Sequence, residues 1–149
     1  MKTENRAAVL AAAGALLMGG TLSGATAAQA AEPSVTYKFQ DDPRKSFGVV
    51  VYNHGRYAGM AYWQADPIPA QDVPGDAIQA VDPLADGWGV EAILDTGGGY
   101  RTVSTRGHDS PYLSPYKTGD LTEGSTVRLR VCLVKGLNSY CSPYYSGKA

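Results

Sequence analysis

Trp88, Val90, Ala92 and Leu94 alternate with Gly89, Glu91, Ile93 and Asp95, and the run leads into Gly97-Gly98-Gly99. Period-two alternation marks a strand with one buried face; a helix would bring its apolar residues back every three or four positions instead. Consecutive glycines accept positive φ at no steric cost, so residues 86–105 are predicted to form a β-hairpin around which the rest of the chain is arranged. A two-residue turn at Gly98-Gly99, the form that matches right-twisted strands, pairs Leu94 with Val103, Ala92 with Thr105 and Glu91 with Arg106. Apolar then meets apolar on one face and opposite charges meet on the other. The Glu91–Arg106 pair reads as a solvated surface pair, worth ~0–1 kcal/mol. Ile93 interrupts the polar outer face and points to partial cover there.

The same strand-and-turn grammar runs through residues 31–149. Val35-Thr36-Tyr37-Lys38-Phe39 alternates and reads as an edge strand, broken by Asp41-Asp42-Pro43. Residues 47–52 form a continuous apolar run suited to a buried strand. Asn53-His54-Gly55 is a turn, and residues 56–63 return from it. Residues 64–76 contain Pro67, Pro69 and Pro74-Gly75 without periodicity, and read as a long crossover between sheets. Residues 77–81 form a short strand ended by Asp82-Pro83. After the central hairpin comes a loop over 106–124, then a third hairpin over 127–145. No helical period persists, so the chain is all-β with about eight strands. A two-sheet β-sandwich of immunoglobulin-like general form fits best; a small closed barrel is the second choice.

Residues 1–30 read as a secretory signal peptide. Lys2 and Arg6 precede an apolar run over 7–20 that is too short to span a bilayer, and Ala28-Gln29-Ala30 is an A-x-A cleavage pattern. Cleavage before Ala31 leaves 31–149 as a single domain, expected to be secreted and monomeric. Losing Lys2, Arg6 and Glu4 with the leader moves the formal charge from −1 to −2. This gives no electrostatic case for nucleic acid, and no later segment would hold the cleaved chain in a membrane.

Cys132 and Cys141 are the only cysteines, and in a secreted chain they are expected to pair. A tight turn at Gly136-Leu137 sets them opposite each other at a Cα separation of ~4.5 or ~5.5 Å, within the range a disulfide accepts. The bridge would clip one hairpin of one sheet. In the same register Tyr140 faces Leu133, Tyr144 faces Leu129 as core, and Tyr145 lies opposite Arg128 on the outer face.

The chain carries no catalytic signature, cofactor motif or metal motif. His108, Asp109 and Ser110 have the side chains of a hydrolase triad, but as neighbours in sequence they do not reach the relay geometry; a turn before Ser110-Pro111 is the plainer reading. Asp82, Asp86 and Asp95 offer oxygen ligands for Ca²⁺ without the spacing of a calcium loop, and aspartate before Pro83 or Gly87 is ordinary turn chemistry. Glu91 and Asp95, two positions apart along one solvent-facing strand side, lack the cleft that glycosidase carboxylates need.

The loop from Arg106 to Tyr116 is the candidate recognition surface. Pro111 and Pro115 stiffen it, and Tyr112 and Tyr116 are the amphipathic rings that binding surfaces favour. The binding candidates are Arg106, His108, Tyr112 and Tyr116. The segments Ala85-Asp86-Gly87-Trp88-Gly89-Val90-Glu91-Ala92, Thr105-Arg106-Gly107-His108-Asp109-Ser110-Pro111-Tyr112, Gly119-Asp120-Leu121-Thr122-Glu123-Gly124 and Arg130-Val131-Cys132 together resemble a group of small secreted proteins of actinomycete bacteria with no assigned activity. The resemblance covers the chain from about Asp76 onward. It implies a secreted bacterial protein and assigns no functional residue. The expectation is a non-catalytic secreted binding protein whose partner is an extracellular protein or glycan, with no cofactor. The alternative is a small secreted hydrolase using His108 or His54.

Overall fold

The computed structural model describes residues 32–149; the predicted leader and its cleavage site lie outside them. Alternation in sequence becomes alternation in burial. One sheet has the order β1 (Val35–Asp41), β2 (Phe47–Asn53), β3 (Arg56–Gln64), β4 (Ala77–Asp82), β7 (Tyr112–Leu113). The other is built on the long β8 (Thr126–Lys135), with β5 (Gly89–Asp95) and then β6 (Tyr100–Ser104) on one side. On its other side lie β9 (Asn138–Cys141) and β10 (Tyr145–Lys148). Every named pairing is antiparallel. Val49, Val51, Trp63, Ile78 and Ala80 of the first sheet pack against Val90, Leu94, Val127, Leu129, Val131 and Leu133 of the second, all buried. The predicted two-sheet sandwich is what forms. Trp63, fully buried, donates its indole N–H to the Lys148 carbonyl at 3.1 Å and so ties β3 to β10.

Ten strands appear where eight were expected, because β7 forms inside the predicted loop and the last strand divides into β9 and β10. The division is a bulge. Cys132 pairs with Cys141 but Leu129 pairs with Tyr145, so one extra residue lies between the two registers. The Ser142 hydroxyl accepts from the Val131 N–H at 3.2 Å, the Ser142 N–H donates to the Val131 carbonyl at 2.9 Å, and Pro143 has no N–H to extend the ladder. One inserted residue exchanges the two faces of a strand. Tyr145 therefore takes the inward place opposite Leu129 that was expected of Tyr144. Tyr144 lies outside, under the Arg128 and Arg130 guanidiniums at 5.5 and 4.9 Å.

The central hairpin forms with a different register. Ala92 pairs with Val103, Leu94 with Arg101 and Glu91 with Ser104, two residues away from the expected pairing. The loop is four residues long, 96–99, because side chains at its start set it. Asp95 Oδ1 accepts from the Gly97 N–H at 2.8 Å, and the Thr96 N–H and hydroxyl donate to the Gly99 carbonyl at 3.0 and 3.1 Å. Only Gly97 of the three glycines uses positive φ, at 77°. A slip of two keeps each side chain on its face, so the core pattern survives. The Glu91–Arg106 pair does not form; Arg106 lies past the end of β6.

Residues 65–76 are not a crossover between sheets, since β3 and β4 are neighbours in one sheet. They form an excursion with a short 3-10 turn (Pro69–Gln71) and an Ile68–Val73 bridge. The Asp76 N–H closes its neck by donating to the Ala65 carbonyl at 2.9 Å. The passages between sheets are 83–88, 105–111 and 114–125. The Cys132–Cys141 disulfide is present, with a Cα separation of 4.0 Å, and Lys135 pairs with Asn138 across the two-residue turn at Gly136-Leu137.

Candidate functional site

Two of the passages between sheets, 83–88 and 105–111, meet the Gly136 turn at one end of the sandwich. Between them lies an open pocket of about 490 Å³. A pocket of this size can take a small ligand or a protruding side chain.

The floor is held by buried polar contacts. Thr105 is 1% exposed; its hydroxyl accepts from the Val90 N–H at 2.7 Å and donates to Asp82 Oδ2 at 3.2 Å. The His108 N–H donates to the Thr105 carbonyl at 3.1 Å, and Gly107, at φ 83°, makes the turn between them. Asp82 ends β4, is 1% exposed, and has no partner for Oδ1 among the described residues. Burial pushes its carboxyl above the usual carboxylate range, and the nearby Asp86 charge adds to this. The Thr105 hydroxyl that donates to it, and the nearby Ser110 hydroxyl and Leu84 N–H, act the other way. Asp82 thereby holds the start of the 105–110 segment, through Thr105, against the first sheet. Asp86 makes the turn into β5: its Oδ1 accepts from the Trp88 N–H at 3.0 Å and its Oδ2 from the Asn53 amide at 2.9 Å.

The rim carries the charge. Arg106 donates from its guanidinium to the Gly136 carbonyl. The Lys135 ammonium lies 5.6 Å from the centre of the Trp88 ring. The His108 ring stacks on Tyr112 at 3.9 Å and nearly parallel. Asp109 is the one carboxylate among the lining residues.

The four sequence candidates thus divide. Arg106 and His108 line the pocket. Tyr112 stands behind His108 and pairs with Asp82 at the start of β7. Tyr116 is elsewhere. The chain after β7 runs back along β4, with the Ser114 N–H donating to the Ala80 carbonyl at 2.9 Å and Lys117 bonded both ways to Ile78 at 3.0 Å. This carries Tyr116 about 13 Å along the sheet from the Asp82 end, at the usual rise per strand residue.

The other constellations are also dispersed. Asp95 lies at the far end of β5. The Gly97 N–H and then the Arg128 guanidinium hold its carboxyl below the usual range. It is not gathered with Asp82 and Asp86, and among the described residues no group of three or more His, Cys, Asp or Glu assembles for a metal ion. The Ser110 hydroxyl lies near Asp82 and has no hydrogen bond to a histidine ring among the described residues. No hydrogen bond among the described residues joins the His108 or His54 ring to a hydroxyl or carboxylate, and His54 occupies the exposed β2–β3 turn at φ 49°.

Sequence reading missed Lys135, Trp88 as a pocket wall, and Asp82 as the anchor of the loop. Asp82-Pro83 looks like any strand-ending turn, and Lys135 like any charge at a hairpin tip. Only the pairing of β8 with β5 brings Lys135 beside Gly87 and Arg106. Comparison with protein-family models, curated proteins and solved structures finds no match for this chain.

Proposed function

We propose that this chain is a secreted, non-catalytic binding protein of the kind found among small actinomycete secreted proteins, and that it takes its ligand, part of an extracellular protein or glycan, in the pocket between 83–89, 105–110 and 134–136. The observation that carries this reading is the buried Asp82 anchor. It makes an exposed loop bearing Arg106 and His108 a fixed wall of the pocket. Preorganisation of this kind lowers the ordering cost of binding, and loops held on a rigid scaffold are where binding residues concentrate. The A-x-A leader and the disulfide support the secreted part of the reading; N-terminal sequencing of the exported protein should begin Ala31-Glu32-Pro33.

The test of the site is a library of glycans and peptides followed by amide chemical-shift mapping. Ligand-dependent shifts should cluster at 85–89, 105–110 and 134–136. Arg106→Ala with His108→Ala should abolish them at an unchanged melting temperature, since both side chains are exposed. Shifts confined to the Tyr144 face, or turnover of ester, peptide or glycoside substrates, would refute the reading.

A further inference from the structure

We propose that the pocket reads an oxyanion, a carboxylate or phosphate monoester carried on a ligand of roughly one sugar ring. This rests on the binding reading above and names the chemistry of its ligand. Arg106 and Lys135 come from segments about thirty residues apart and both line the pocket; Arg106 donates to the carbonyl of Gly136, the residue after Lys135. Neither cation forms an ion pair among the described residues. The ion pairs among the described residues are Arg44–Asp42, Lys45–Glu123 and Arg128–Asp95. In a chain whose acidic residues outnumber its basic ones, 14 to 13, two cations without an ion-pair partner on one pocket rim repel each other, and a bound anion would turn that repulsion into attraction.

The geometry also leaves both cations available. One hydrogen bond engages the Arg106 side chain, so the remaining guanidinium donors can meet two oxygens of a planar carboxylate or a phosphate. The Trp88 ring lies under Lys135 and holds it over the pocket wall. Gly87, at φ 77°, leaves that side open; a Cβ there would come 3.4 Å from the ammonium. Asp109, on the same rim, disfavours a bare polyanion but accepts from a hydroxyl. Two cations beside one acceptor suit a hydroxylated ring bearing a single anionic group.

The full exported chain, disulfide intact, is titrated with glucuronate, glucose 6-phosphate, glucose and inorganic phosphate, reading the Trp88 indole and the 105–110 amides. Glucuronate or glucose 6-phosphate should shift them at millimolar concentration, and glucose should not. The stronger of the two identifies the anion source. Arg106→Gln and Lys135→Gln should each weaken binding about tenfold or more, as removal of a charged hydrogen-bond partner does, and added salt should weaken it too. Equal binding of glucose and glucuronate, untouched by either variant, overturns the oxyanion assignment while leaving the pocket as the binding site. Inorganic phosphate binding as tightly as the sugar phosphate overturns the ring requirement. If none of the four probes moves a pocket resonance, the assignment is wrong, and the library mapping above then decides separately whether the pocket binds anything.

Discussion

Replacing both Cys132 and Cys141 with alanine tests the clip and the pocket together. The bridge closes a ring of sequence separation 9, for which the chain-entropy account gives about 2.6 kcal/mol at 25 °C. Cys132 is fully buried, and losing its sulfur adds a further contribution below about 1 kcal/mol. The hairpin itself should persist, because Leu133, Val134 and Lys135 still pair with Tyr140, Ser139 and Asn138, and Ser142 still bonds twice to Val131. The expected loss is therefore about 3 kcal/mol with the fold retained. Urea unfolding followed by tryptophan fluorescence suits the measurement, since Trp63 and Trp88 are both buried. With a slope of about 1.5 kcal/mol/M for a chain of this size, the midpoint should fall by about 2 M. Ligand binding should weaken as well, because Lys135 and Gly136 sit at the tip of the clipped hairpin. A midpoint shift below about 0.5 M would refute the entropic reasoning. A far-UV spectrum without β-structure would show that the whole sandwich depends on the bridge.

Gly147→Ala places a Cβ 2.1 Å from Phe47 Cε1, on a ring that is 2% exposed and packed against Phe39; thermal unfolding should show a loss of about 1–3 kcal/mol. Gly98→Ala, with nothing near its Cβ, serves as the near-neutral control. Tyr112→Ala removes a half-buried ring from under His108 and should cost about 2 kcal/mol, half the loss of a fully buried aromatic; a loss near zero would mean the stack holds nothing in place. Asp95 has a carboxyl held below its unfolded value, so its stabilisation is present above about pH 4 and disappears as pH falls through the lowered value. Wild type should accordingly exceed Asp95→Asn in stability at pH 7, and the two should converge in strong acid; a gap constant with pH would show that the charge is not the cause.

What this sequence determines by itself is local. Alternation at Val90, Ala92 and Leu94, and again at Val127, Leu129, Val131 and Leu133, settles which faces are buried, since the pleat has a period of two whatever the partner strand. Gly136-Leu137 places a tight turn, and that turn places Cys132 opposite Cys141. From these alone an all-β sandwich with a clipped hairpin is legible. Register and convergence are not. The central pairing moved by two residues because Asp95 and Thr96 close a longer loop than the glycines suggested, and Tyr144 and Tyr145 exchanged faces because one residue at Ser142-Pro143 leaves the ladder. Each change costs few hydrogen bonds locally, so local composition does not discriminate against it; packing of the whole sheet does. Arg106 and His108 could be picked from their loop. Asp82, Trp88 and Lys135, which complete the pocket with them, lie on separate strands and turns. They meet only when β5 pairs with β8 and β4 ends beside Thr105, because the side chains around a pocket are set by strand order across two sheets and not by spacing along the chain.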